Sequence, residues 1–255
     1  MAPNEIKPYT PPNCTVGQRV SNRVRMTDGR LVWIDGLDMD ERIMWSRHSA
    51  SRASAGAYLM SVSGKPEILS AQHTSVCHTD AEEHIITVFD LVRRTVIIRA
   101  GTPIKVTFDV DLGQRMNGEL WATYKTPGMH THCSDVHGLE WECRPIPTRS
   151  PIQSHFYPMP TMSWIQGDTR RFTWVGAQPT GVGTTKDTII LMLDRSGNRD
   201  DARGLGQGIT DARAVTLTFY MIVETFRDAK TPTSTSMRAS TWLLQPPMIL
   251  TRSDD

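Results

Sequence analysis

The sequence predicts an all-β fold, and three observations predict it. Apolar and polar residues alternate with a period of two in well-separated segments, as they do in half-buried strands. Sixteen prolines and eighteen glycines divide the chain into short pieces, and apolar residues at helical spacing are scarce.

The elements follow in chain order. Arg30–Ile34 reads as a short strand. Asp38–Ser46 reads as a helix, because Met39, Ile43 and Met44 share a face at helical spacing. Ala57–Val62, Ile85–Val92 and Arg94–Arg99 are further strand candidates. In Ile104–Val110 the apolar Ile104, Val106, Phe108 and Val110 alternate with Lys105, Thr107 and Asp109. A polar turn, Gly113–Gly118, carries the hairpin dipeptide Asn117-Gly118 and leads into Glu119–Lys125. Arg171–Val175 and Thr188–Leu193 come next, the apolar run Ile189–Leu193 suiting a strand buried on both faces. Val215, Leu217, Phe219, Met221 and Val223 then mark one face of a long strand. Eight or nine strands with turns between them suit a sandwich or barrel.

Other segments resist regular structure. Pro145–Pro160 holds five prolines and reads as an extended crossover, since proline removes ladder donors. Ser196–Gly208 is polar and glycine-rich, a surface loop. Lys7–Cys14 and Thr231–Asp255 are proline-bearing tails suited to lying over neighbouring molecules.

The formal net charge is +1, so the total points to no strong polyanion binding. Residues Met1–Pro12 lack the apolar core of a secretory signal, and no apolar stretch is long enough to anchor the chain in a membrane. The four cysteines, Cys14, Cys77, Cys133 and Cys143, form no CxxC pair and read as thiols of a reducing compartment. Without a signal, the sequon Asn13-Cys14-Thr15 is expected to stay unmodified.

No residue set rises to a site, and the sequence assigns no catalytic, cofactor-binding or metal-ligating residues. Met129–Cys143 concentrates His130, His132, Cys133, His137 and Cys143, ligand types that suit zinc, but the spacing matches no zinc pattern. His73, Cys77 and His78 read as a polar turn rather than a nucleophile–base pair. Gly204-Leu205-Gly206-Gln207-Gly208 lacks the strand and helix that a dinucleotide loop needs. The acids Asp35, Asp38, Asp40 and Glu41 lack EF-hand spacing and suit a helix start. Asp109 and Asp111 read as an outward face with no acid–base partner. Arg19, Arg23, Arg25 and Arg30, followed by Arg42, Arg47 and Arg52, form the most basic stretch, but acids nearly balance it. Arg170 and Arg171 beside Trp164 and Trp174 are the best candidate for modest RNA contact, against a core role for the tryptophans.

Six segments carry a family resemblance. Arg99–Val110, then a polar turn, then Gly118–Gly128 is similar to the strand pair at the heart of picorna-like virus capsid proteins. Trp164–Asp168 with Arg171–Val175, and Thr188–Leu193 with Val215–Phe226, resemble later strands of that fold. The plant secovirid group is nearest, with insect picorna-like viruses close behind, and the resemblance covers residues 85–250. It implies an eight-stranded antiparallel jelly-roll β-sandwich, with an extended arm over residues 1–28, one capsid domain over 29–230 and a second arm over 231–255. It further implies a non-enzymatic building block of an icosahedral shell around a positive-strand RNA genome. The partners would be further copies or sister capsid proteins and the packaged RNA, and the location the virion and, during assembly, the host cytoplasm.

Rival readings from other classes are a viral movement protein and a carbohydrate-binding domain. The latter needs an exposed aromatic platform, for which Trp141, Trp164 and Trp242 are the candidates. A cupin-like enzyme would need His130 and His132 to bind a metal.

Overall fold

The computed structural model describes residues 15–16, 21–48, 63–146, 155–198, 208–211, 213–228 and 230–245. The expected strand Ala57–Val62, the tail Lys7–Cys14, the sequon at Asn13, Arg19, Arg52 and most of the 196–208 loop lie outside them. The all-β class is what these residues form. They hold nineteen strands in three sheets and one short helix, more strands than the eight expected.

With strands numbered in chain order, the largest sheet has ten. Across it run β1 (Thr15–Val16), β7 (His73–His78), β8 (Glu82–Val88), β9 (Val92–Arg99), β10 (Ile104–Val110), β19 (Val215–Thr225), β16 (Arg170–Gly176), β15 (Met162–Gln166), β12 (Thr131–Asp135) and β13 (Trp141–Pro145). A six-stranded sheet contains β14 (Phe156–Met159), β17 (Thr180–Thr185), β18 (Thr188–Ser196), β11 (Gly118–Lys125), β5 (Asp40–Arg47) and β6 (Glu67–Ile68). A small third sheet holds β2 (Val24–Thr27), β3 (Arg30–Ile34) and β4 (Leu37–Asp38). Neighbouring strands pair antiparallel.

The two large sheets face each other over one core. Tyr124 of the six-stranded sheet meets Trp174 of the ten-stranded sheet at 4.7 Å between ring centroids, and Trp174 meets Phe219 at 5.5 Å edge-on. Phe108 continues the row against Phe219. Such rings combine large apolar burial with favoured edge geometry. The strict alternation in Ile104–Val110 is reproduced as alternating buried and partly buried positions.

The third sheet closes one side of the sandwich around a buried polar cluster. Arg94 of β9 forms an ion pair with Glu41 of β5. Its Nη2 also donates to the Gly29 carbonyl at 2.7 Å and the Thr87 hydroxyl at 2.9 Å. Glu41 accepts from the Tyr124 hydroxyl at 2.9 Å and from the Leu31 N–H at 3.0 Å. Arg94, Glu41, Tyr124 and Leu31 are fully buried. Burial lowers the Arg94 pKa to about 10 and raises that of Tyr124, because a low-dielectric interior penalises the charged forms.

Several expectations need correction. Asp38–Ser46 is not a helix: it is mostly β5, and its true period is two. Glu41, Ile43 and Trp45 turn inward, and the charge on Glu41 hid that alternation. Ile85–Val92 is no single strand but the end of β8, a turn at Phe89–Leu91 and the start of β9. Asn117-Gly118 makes no hairpin, for β10 and β11 lie in different sheets. Asn117 does take a positive φ of 58°, but Gly118 is needed for space: a Cβ there would lie 2.4 Å from the Trp45 ring.

Of the crossover Pro145–Pro160, the part described at 156–159 forms edge strand β14, where Pro158 costs no interior ladder bond. The expected arms also contain structure. Val24–Thr27 is β2 within the N-terminal one, and Ser234–Leu244 is helix α1 within the C-terminal one. Thr233 caps this helix, accepting from Ser236 N–H. Glu224 of β19 accepts from the hydroxyls of Thr233, Ser236 (2.7 Å) and Thr173 (3.1 Å), anchoring the helix start. Ser236, Ala239 and Ser240 form a small-residue face that lets α1 lie close on the ten-stranded sheet.

The three cysteines among the described residues are not thiols. Cys133 and Cys143 are directly opposed across β12 and β13 and form a disulfide, and Cys77 is disulfide-bonded as well. Disulfides persist in oxidising surroundings, which corrects the reducing-compartment expectation.

Candidate functional site

Three strand ends and one crossing loop meet at one pole of the sandwich. β5 ends at Arg47 opposite Gly118, the first residue of β11, which also faces Ser196, the last of β18. The loop 111–117 crosses here from the ten-stranded to the six-stranded sheet. Together with the β8–β9 turn it encloses a cleft of about 550 Å³, lined by Trp45, Arg47, His48, Asp90, Leu91, Asp111, Leu112, Gly113, Gln114, Arg115, Met116 and Asn117. That volume falls in the range typical of small-molecule sites.

The loop is held in place. Asp111 Oδ1 accepts from the Gly113 N–H at 2.9 Å, and Asn117 Oδ1 accepts from the Asn198 N–H at 3.1 Å. Arg115 reaches both sheets, donating to Glu67 of β6 at 2.7 Å and to Asp90 of the β8–β9 turn at 2.7 Å. Its guanidinium lies 5.9 Å from the Trp45 ring centroid. The hydrogen bond from Arg115 lowers the Glu67 pKa, and the reciprocal bond raises that of Arg115.

One wall of the cleft borders a buried carboxylate. Glu119 receives the Trp121 indole N–H at 2.9 Å and an ion pair from Arg195 at 2.7 Å. The His48 Nε2 lies 3.8 Å from Glu119. His48 is thereby held at the cleft edge, where its backbone N–H also donates to the Asn117 carbonyl at 2.8 Å.

The residues singled out in the sequence are scattered elsewhere. His130 is exposed and faces Asp168 at 3.2 Å, whereas His137 sits 3.8 Å from Glu140 in the β12–β13 turn. His132 is buried against Ser163 at 2.8 Å, and burial lowers its pKa to about 3. Among the described residues no three His, Cys, Asp or Glu side chains gather to hold a metal ion. His73, Cys77 and His78 lie on β7, the cysteine locked in its disulfide.

The acids are engaged as well. Asp35 pairs with Arg23, Asp40 with Arg30 and Arg42, and Asp109 with Arg93. Of the sequence candidates, the cleft takes in Asp111 and Arg47, and Asn117 from the supposed hairpin.

The proposed RNA-contacting group is core. Trp164 and Trp174 are fully buried, as is Arg171. Arg171 donates to Gln166 Oε1 at 2.9 Å and to the Thr231 carbonyl at 2.7 Å, stacked between Trp164 and Phe226. Arg170 donates to the carbonyls of Asp35 and Gly36. Of the tryptophans proposed as a sugar platform, Trp164 is buried, Trp141 is partly buried, and Trp242 on α1 is 52% exposed.

No family model matches the chain. Curated relatives do. It is 39% identical over 110 residues to alpha-mannosidase 2 of Arabidopsis thaliana, covering 42% of this chain and 9% of the relative. To alpha-mannosidase 2x of Mus musculus it is 31% identical over 165 residues, 59% of this chain and 14% of the relative. To alpha-mannosidase 2 of Drosophila melanogaster it is 28% identical over 206 residues, 75% of this chain and 18% of the relative. The chain thus spans less than a fifth of the length of these relatives.

These matches overturn the capsid resemblance and the assembly, partners and location that it implied. Shell assembly, sister capsid partners, packaged RNA and a virion or host-cytoplasm location give way to likeness with proteins named as glycosidases. The capsid features were alternation and Gly-Pro turns, which any antiparallel sandwich needs; they carry no chemistry that separates one family from another.

Proposed function

We propose that this chain is a non-catalytic β-sandwich unit of an α-mannosidase-type protein, serving mannoside hydrolysis only together with other parts. The observation that carries this reading is the coverage: the likeness to alpha-mannosidase 2 extends over as much as 75% of this chain yet 18% of the relative. The carboxylates of the cleft suit a supporting role, because Asp90 is bound to Arg115 and Asp111 to its own loop. Glycoside hydrolysis needs a pair of carboxyl groups free to flank the scissile bond.

A graft tests this. The matched segment of the Arabidopsis thaliana relative is replaced by the corresponding residues of this chain, and hydrolysis of an aryl α-mannoside is measured. The expected outcome is an active chimera, with no turnover by the isolated chain. A folded but inactive chimera, or turnover that copurifies with the isolated chain, would overturn the reading.

A further inference from the structure

We propose that the polar cleft at the 111–117 loop binds a short neutral oligosaccharide, an inference that rests on reading the chain as a glycosidase-type unit. Charge is the first argument. Arg115 is already neutralised by Glu67 and Asp90, and the lining sets Arg47 against Asp111. The wall therefore carries no net positive field, which a phosphate- or sulfate-rich ligand would need.

Hydrogen-bonding chemistry is the second argument. Arg47 and the amides of Gln114 and Asn117 supply donors, while the carboxylate of Asp111 supplies an acceptor. A sugar hydroxyl donates and accepts at once, so a wall that mixes both kinds of group can satisfy it. An apolar ligand would strand the same groups without water.

Preorganisation is the third. The loop is fixed at Asp111, Arg115 and Asn117 before any ligand arrives, so little ordering remains to oppose binding. The apolar parts of Leu112 and Met116 lie in the same lining and offer contact for the C–H faces of a pyranose ring.

The test uses the full 255-residue chain. Methyl α-mannoside, an α-linked mannobiose and heparin are titrated by calorimetry and by saturation-transfer NMR, at low and high salt. The expected result is binding of the neutral sugars that changes little with salt, and that weakens roughly tenfold in Gln114→Ala and in Arg47→Ala. Unchanged thermal melts of both variants would show that the fold is intact. Binding of heparin alone, sugar binding indifferent to both substitutions, or no saturation transfer would each overturn the assignment. The graft separates the two proposals: an active chimera with a chain that binds no sugar rejects the cleft alone, and sugar binding beside an inactive chimera rejects the accessory role alone.

Discussion

Arg94 and Arg115 each hold two parts of the sandwich together through acidic and polar partners, but they do so in opposite surroundings. Arg94 is fully enclosed with Glu41 and Tyr124. The side chain of Arg115 is 28% exposed, and those of its partners Glu67 and Asp90 are 45% and 50% exposed. Burial lowers the pKa of the first arginine, whereas its carboxylate partner raises that of the second. The difference separates a closed joint from an open one. In the core, the ion pair to Glu41 and the bonds to Gly29 and Thr87 hold the guanidinium where water does not reach, so the geometry is fixed. At the cleft, water can stand in for a lost partner, so the ion pairs shape a surface at little cost to stability.

Substitutions can break this contrast. Arg94→Ala would leave Glu41 buried without its counterion and should destabilise the protein by about 3–5 kcal/mol, read from urea unfolding. Replacing both Arg94 and Glu41 by Met should recover much of that loss; no recovery would show that packing rather than charge dominates the joint. Cys143→Ser, which opens a short loop at the sheet edge, should cost about 2–3 kcal/mol by the same measurement.

His132 extends the comparison to pH. Its folded pKa of about 3 lies below the ordinary 6.5, so the unfolded chain takes up a proton that the folded chain refuses. Stability present above pH 6.5 is therefore lost as the pH falls towards about 3, at about 1.4 kcal/mol per pH unit within that window. His132→Gln should flatten this acid limb, and an unchanged slope would exclude the buried imidazole as its source.

Arg115→Ala should have the smallest effect, within about 1 kcal/mol and smaller still at high salt. Because Arg115 lowers the Glu67 pKa, the contribution of this pair is present above the usual carboxylate range and fades as the pH falls through the lowered value. A loss comparable to that of Arg94→Ala would erase the distinction between the two joints.

Much of the strand layout was legible. Ile104–Val110 alternates without exception, and its predicted bounds coincide with β10. The segments that misled did so for physical reasons. Glu41 faces the core because Arg94 meets it from another strand, and no local pattern announces a partner 53 positions away in the chain. Helix α1 escaped notice because it docks through Ser236, Ala239 and Ser240 rather than an apolar stripe. The cleft was legible only in fragments. Asp111 and Asn117 stood out singly, but the role of Gln114 and Arg115 depends on a crossing between sheets, and the polar run around them reads as an ordinary turn.

That crossing between β10 and β11 also sets an order of assembly. Strands β7 to β10 are neighbours in sequence and in space, so their meander can form as soon as residues 73–110 have left the ribosome. The centre of the six-stranded sheet cannot, because β11 pairs with β5 on one side and with β18 on the other. Each of those pairings closes a loop of dozens of residues, and such non-local contacts slow folding. During synthesis β11 must therefore wait, with an open edge, until β18 emerges. An open strand edge of this kind is where a nascent chain meets wrong partners.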